Sequence, residues 1–378
     1  MDVLVIGAGV GGLAVARVLL AAGHEVRVFE QALAPRTGGK ALLVWSNGNA
    51  VLDDLGVSLA GAGARIDRID GLASDGRLRT TMDIAHATGR YGFPTQAVPR
   101  RLLQDRLTDG LPGDLVRYGV ACRDVTQDGD RVTATFTDGS TATGDLLIGA
   151  DGHHSVVRRQ LWGDGTVRPA TFGTWQGLSP IGIDITDTTR HLMISGREGA
   201  CGLMPAGKGL LQWWFDVRWS PADPRPAAPL AELRRRFGHW ASPVPEVLAA
   251  ATEEDLEFFG HHWNRVRKVW GEGRVTLAGD AAHTMPPTLG QGANQTLEDA
   301  WVLGRELAKG GDPSVRLRAY ERARYPRISL VSRLAKRNPA NWRIPPMIAR
   351  LFPETMQTAM LARFSNRLSE LPGRVTQG

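Results

Sequence analysis

The sequence predicts an α/β fold: a nucleotide-binding unit on a parallel sheet, interrupted by stretches that do not fit it and followed by helices. Three observations predict it. The short apolar run Asp2-Val3-Leu4-Val5-Ile6 meets a glycine turn, Gly7-Ala8-Gly9-Val10-Gly11-Gly12, and then a helical apolar spacing. Two more apolar runs, Leu146-Leu147-Ile148 and Val275-Thr276-Leu277-Ala278, lead into the turns Asp151-Gly152 and Gly279-Asp280. Residues 169–263, by contrast, do not fit the nucleotide fold, and within them Leu211, Trp213 and Phe215 alternate against Gln212, Trp214 and Asp216, as in a half-buried strand.

The opening run is β-branched and continuous, as a buried parallel strand requires. Leu13, Ala16, Val18, Leu19 and Leu20 then line one side of a helix reaching Ala22, Gly23 ends it, and Glu25 to Glu30 form a second strand. In such a Rossmann βαβ unit Gly7 permits the tight turn, Gly9 lets backbone approach a pyrophosphate, and Gly12 lets the helix sit close. The helix start at Val10 and Gly11 offers unpaired N–H groups and a positive dipole end to phosphates. Glu30, followed by Gln31, ends the second strand, where a carboxylate accepts both hydroxyls of an adenosine ribose and repels a 2′-phosphate. NADPH is therefore not expected in this turn.

Residues 114–150 read as a β-meander with turns at Asp128-Gly129 and Asp138-Gly139, and with Val132, Ala134 and Phe136 on one face. Asp151 and Asp280 both follow strands at their carboxyl ends, where open α/β sheets bind ligands.

Here Gly7-x-Gly9-x-x-Gly12, Asp151-Gly152-x-x-Ser155-x-x-Arg158 and Gly279-Asp280 closely resemble the motif set of the class A flavoprotein monooxygenases. These have the para-hydroxybenzoate hydroxylase fold, and the resemblance covers roughly residues 1–330. It implies a Rossmann-like FAD/NAD(P)-binding domain with an inserted antiparallel-sheet substrate domain and C-terminal helices. It implies FAD as cofactor and NADPH or NADH as co-substrate. Asp280 would bind the ribityl chain, and Asp151, with Ser155 and Arg158, would support the FAD pyrophosphate and the NAD(P)H encounter. Pro287, Gly290, Gly292, Ala293 and Asn294 would lie along the isoalloxazine. Arg100, in Pro99-Arg100-x-x-Leu103-x-x-x-Leu107, would reach the FAD phosphates. Asn47 and Arg36 fit the loop after the second strand, although Gly39-Lys40-Ala41 stands where the family has Gly-Ala-Gly. Backbone N–H groups after Gly290 and Gly292, at a helix start, can stabilise the negative charge of reduced flavin without a charged side chain. His283 is expected to shape its turn rather than to act chemically.

The activity implied is that of a single-component FAD-dependent monooxygenase. NAD(P)H and O2 would serve it through a C4a-hydroperoxyflavin to hydroxylate a small apolar, aromatic or polycyclic substrate. The cofactor would carry the chemistry, so no side-chain acid or base is assigned. The alternatives are a flavin dehydrogenase or reductase, and a non-redox binding or cyclisation protein with structural FAD. A halogenase of this superfamily would show Trp-x-Trp-x-Ile-Pro, which Trp213-Trp214 does not match.

The predicted domain parts are 1–75, 96–168 and 264–312 for the FAD-binding domain, 76–95 and 169–263 for the substrate domain, and 313–378 for the C-terminal helices. Strands are expected over Thr171 to Ile185, His191 to Ser195, Ala200 to Met204 and Leu210 to Trp219, with two more in 64–95. In the last of the named strands Leu211, Trp213 and Phe215 alternate against Gln212, Trp214 and Asp216. Eleven Trp against four Tyr is unusual, and Trp45, Trp175 and Trp213, with Pro287, are candidate walls for a flat apolar ligand. His191, His261 and His262 read as ordinary core or surface histidines. The arginines of 313–337 read as the solvated face of one or two amphipathic helices, and Met347 to Leu368 as another helix.

Lys plus Arg number 45 against 39 Asp plus Glu, but the cations are scattered and no nucleic-acid module accompanies them. The two cysteines, Cys122 and Cys201, lie far apart without metal-ligand spacing, so neither a disulfide framework nor a metal site is expected. No run reaches the ~20 apolar residues of a membrane helix. A cytoplasmic monomer or weak homodimer is the expectation.

Overall fold

The computed structural model describes residues 1–35, 40–89, 92–180, 188–336 and 353–369. Five parallel strands run in the spatial order Val275–Leu277, Leu146–Gly149, Asp2–Ile6, Glu25–Glu30 and Val116–Tyr118. Val3, Leu4, Leu147, Ile148 and Leu277 are wholly buried, as continuous apolar strands between helical layers should be. Helices Val10–Ala21 and Gly292–Leu307 pack over this sheet. The meander separates as a three-stranded antiparallel sheet of Cys122–Asp128, Arg131–Phe136 and Thr141–Gly144, with Val132, Ala134 and Phe136 inward as their spacing requires.

The inserted sheet has seven strands in the order Glu257–Asn264, Val167–Ser179, Leu211–Arg218, Ala200–Pro205, Arg190–Ser195, Arg68–Ala73 and Leu78–Asp83. Only Arg190–Ser195 and Arg68–Ala73 pair in parallel. The strand Arg68–Ala73 corrects the boundary at residue 75: it belongs to the inserted sheet, because its register partner is the distant strand Arg190–Ser195. Glu257–Asn264 was not foreseen, since Phe258-Phe259-Gly260-His261-His262 breaks the alternation that marks a strand. Residues 181–187, the end of the expected strand from Thr171 to Ile185, lie outside the described residues.

Cross-strand partners share a face, and that rule sorts the tryptophans. Trp175 pairs with Phe215 and Gly177 with Trp213. These side chains form a core with Leu230, Leu233 and Phe237 of helix Pro229–Phe237 and Val247 of helix Val244–Ala250. Trp213 is wholly buried there, its Nε1–H donating to Ser179 Oγ at 3.0 Å. Trp175 and Trp213 are therefore not pocket walls: two helices cover the face on which they stand. Gln212, Trp214 and Asp216 occupy the opposite face.

Helix Pro313–Ala335 runs unbroken through Pro326. Its arginines are not one solvated face: Arg322 and Arg333 are exposed, but Arg324 is completely buried. Of the helix expected from Met347 to Leu368, Glu354–Leu368 is helical and 347–352 fall outside the described residues. That helix covers the edge strand Leu78–Asp83, where Gln357 Oε1 accepts the Thr81 N–H at 3.3 Å and Thr358 Oγ1 accepts that of Asp83 at 3.2 Å.

Candidate active site

The glycine turn is shaped by what each missing side chain would strike. Gly7 has φ +102°, and a Cβ there would lie 2.5 Å from the Ala150 carbonyl oxygen. A Cβ on Gly12 would lie 1.8 Å from the Gly7 oxygen, so helix and turn can close only on glycine. At Gly9 the same construction meets nothing within 4 Å. Gly7 and Gly12 serve the fold, whereas Gly9 leaves open the approach that a phosphate needs. Val10 and Gly11 are buried at the start of the helix.

Glu30 is held by two backbone donors: Ala8 N–H to Oε2 at 2.8 Å and Ala32 N–H to Oε1 at 2.9 Å. Each oxygen keeps lone pairs for a ribose hydroxyl. Gln31 beside it is exposed.

The two Asp turns are bolted together by Arg158. Its Nη1 donates to the carbonyls of Asp280 at 3.1 Å and Ala281 at 2.9 Å, and its Nη2 to that of His153. Ser155 caps the helix Val156–Trp162, its Oγ accepting the Arg158 N–H at 2.9 Å. Arg158 thus spends both Nη atoms on this join, while Ser155 serves as the cap of its own helix. Asp151 Oδ2 accepts the Val156 N–H at 2.7 Å, while Oδ1 is buried without a partner among the described residues. Burial pushes the Asp151 carboxyl up despite the Ser155 hydroxyl and backbone donors.

Asp280 opens to solvent on one side, and among the described residues its carboxylate accepts no hydrogen bond. The protein around it raises its pKa, and the charges of His283, Arg100 and Arg158 pull it back. Arg100 begins the helix Arg100–Thr108 and is thereby placed near Asp280.

Sequence reasoning missed the network beneath this turn. Asp299 Oδ2 accepts the Gly279 N–H at 2.9 Å and lies 2.6 Å from His283 Nε2. Arg324 donates to Asp299 Oδ1 at 2.7 Å, to Glu298 Oε2 at 2.8 Å and to the carbonyl of Gln295 at 2.9 Å. Burial pushes the Asp299 carboxyl up, but His283 and Arg324 outweigh it and hold the group low. His283, wholly buried, shapes the turn as its motif suggested. Asn47 Nδ2 joins the network at Glu298 Oε1, 2.7 Å, which makes it a brace for the helix Gly292–Leu307.

Asn294 is similarly committed. Its Oδ1 accepts the Trp45 N–H at 2.9 Å and its Nδ2 donates to the carbonyls of Leu43 and Gly290 at 2.9 and 2.8 Å. Its side chain sets the loop from Pro287 to Gly292 against the strand Ala41–Val44. Pro287 is exposed, and Gly290, Gly292 and Ala293 are partly so. Lys40 Nζ donates to the Asp255 carbonyl at 3.0 Å, and Arg36 lies outside the described residues.

Trp45 sits against this loop: a Cβ on Gly290 would come 3.2 Å from its Nε1. Its indole packs in a cluster with Ile66, Ile69, Met204 and Trp214. This is the sheet face opposite the helix-covered core, with Gln212, Trp214 and Asp216 on it. The signal was in the sequence, since those three form the mixed polar side of the alternation from Leu211 to Asp216. Ligands need such a side, and a core does not.

The fit to FAD can be judged from these atoms. Gly9 leaves room for a pyrophosphate, Glu30 has lone pairs for a ribose, and Asp151 Oδ1 and Asp280 are acceptors without protein donors. That donor and acceptor set suits a dinucleotide carrying a polyol. Residues 1–335 match the FAD binding domain family, and the chain belongs to it.

The chain is 34% identical to a 3-amino-4-hydroxybenzoate 2-monooxygenase of Streptomyces platensis, with 91% of this chain and 89% of that protein covered. It is 33% identical to a FAD-dependent urate hydroxylase of Klebsiella pneumoniae, with 89% of each covered. The structure of Klebsiella pneumoniae HpxO with FAD and uric acid superposes with a TM-score of 0.85 at 29% identity, over 97% of this chain and 95% of that one. The chain is a FAD-dependent monooxygenase of the aromatic hydroxylase class, with FAD as cofactor and NAD(P)H as co-substrate. These relatives favour that reading over a dehydrogenase or a structural flavin. Among the described residues no helix is long and apolar enough to cross a membrane.

Proposed function

We propose that this monooxygenase hydroxylates a small, largely apolar aromatic ring with O2 as the oxygen source, working in the cytoplasm as a monomer or weak homodimer. The aromatic sheet face against the Gly290 loop carries this reading. Trp214 and Trp45, with Met204 and Ile69, offer a flat apolar wall beside the segment that would hold the isoalloxazine. Two relatives, by their names, act on an aminohydroxybenzoate and on urate, both small and planar.

FAD, once bound and reduced by NAD(P)H, supplies the activated oxygen. The chain's own residues hold and orient. Gly9 and the first turn of Val10–Ala21 would take the pyrophosphate, Glu30 the adenosine ribose, and Asp280 and Asp151 the polyol side. Arg100 would reach the phosphates. Backbone N–H groups at Gly292 and Ala293, at the head of a sixteen-residue helix, would face the electron-rich edge of the ring system. The sheet face would shut out water, so that oxygen transfer outcompetes loss of the reactive species.

Purified holoenzyme should be yellow, and small phenols or anilines should stimulate NADH or NADPH oxidation together with O2 uptake, giving a product heavier by one oxygen. Flavin reduction across such a panel without any oxygenated product would remove the proposal.

A further inference from the structure

His191 stands on the pocket-side face of the inserted sheet with its ring 5.4 Å from that of Trp214. The residue is 6% exposed, and among the described residues neither Nδ1 nor Nε2 has a hydrogen-bond partner. Trp45, 8% exposed and in the same cluster as Trp214, also has a buried, unpartnered Nε1–H. An unmade hydrogen bond in a buried site is costly, and both groups lie on the sheet face opposite the core of Trp213 and Phe215. Both therefore point to a ligand.

We propose that His191 and Trp45 are specificity-determining residues that recognise a hydroxyl group on an uncharged, phenol-type aromatic substrate. This rests on the aromatic substrate proposed above and names its chemistry. Burial pushes His191 down to about 4, so near neutral pH its imidazole has one donor and one acceptor nitrogen. A phenolic O–H gives and takes one hydrogen bond and so answers both. Trp45 Nε1 can only donate, and the same oxygen or a second substituent can accept. A carboxylate has no proton to give and would be a buried charge. The flanking arginines cannot neutralise it: Arg68 and Arg190 are on the other face, tied to Asp70 at 2.9 and 2.5 Å.

The test uses FAD-loaded holoenzyme with 2-naphthol, 2-methoxynaphthalene and 2-naphthoate as probes, each titrated by tryptophan fluorescence and by the flavin absorbance change. Wild type should bind the naphthol at least about tenfold more tightly than the ether or the acid. His191→Phe should erase that preference without lowering the melting temperature of the ligand-free holoenzyme, since it removes an unsatisfied buried group. Trp45→Phe should diminish the preference, and it carries the test alone if His191→Phe does not fold. A wild type without preference, or variants that keep it, overturns the assignment. Binding needs no turnover, so selective binding without oxygenation would sink the proposed function alone. Oxygenation without selectivity would sink this inference alone.

Discussion

Single glycines divide the labour of the cofactor turn. A Cβ on Gly12 would come 1.8 Å from the Gly7 oxygen, so Gly12→Val should break the close packing of helix on turn and cost about 3 kcal/mol or more, read from urea unfolding. Gly9 meets nothing, so Gly9→Leu should fold normally and lose at least about tenfold in FAD affinity, because its side chain fills the space the pyrophosphate needs. Equal unfolding midpoints for the two variants would contradict this division. The glycine pattern was legible because only glycine meets these steric demands. Arg324 was not: on the sequence it is one of many arginines in a helix, and its burial follows from Glu298 and Asp299 lying 26 and 25 residues earlier on a facing helix.

Strands carry their meaning in alternation. The faces of Leu211–Arg218 were legible, since Leu211, Trp213 and Phe215 alternate with Gln212, Trp214 and Asp216. Which face a core would claim was not, because helices Pro229–Phe237 and Val244–Ala250 decide it from elsewhere in the chain. The assignment has a direct test. Trp213→Ala should cost about 3–5 kcal/mol in unfolding free energy, as expected for a truncated buried aromatic. Trp214→Ala should leave stability nearer wild type and raise the KM for an aromatic substrate. A stability loss of the same size in both would show that the faces are not so divided. The seam between domains was misplaced for a related reason: no local pattern tells Arg68–Ala73 that its partner lies at Arg190–Ser195.

Across the whole molecule, buried histidines and buried carboxylates respond to acid with opposite signs. Burial lowers His191 and His261, each to about 4 from an ordinary 6.5. A histidine depressed in the fold binds fewer protons folded than unfolded, so its contribution is present above 6.5 and is lost as pH falls toward 4. Asp216, raised by burial from 3.8 to about 6, acts oppositely, gaining stability as it protonates within that window. Asp151 and Asp280, also raised by burial, act with Asp216, so the histidine contribution is read from a variant compared with wild type and not from the net profile. His191→Phe should gain in melting temperature relative to wild type as pH falls from about 6.5 to about 4. A profile unchanged by that substitution would contradict the assignment.

The helix Glu354–Leu368 lends two side-chain acceptors to the outermost strand of the inserted sheet, at Thr81 and Asp83. Sheets recruit foreign strands through unclaimed edge amides, and on this flank the chain has claimed them for itself. A strand from a second copy finds the Thr81 and Asp83 amides already taken.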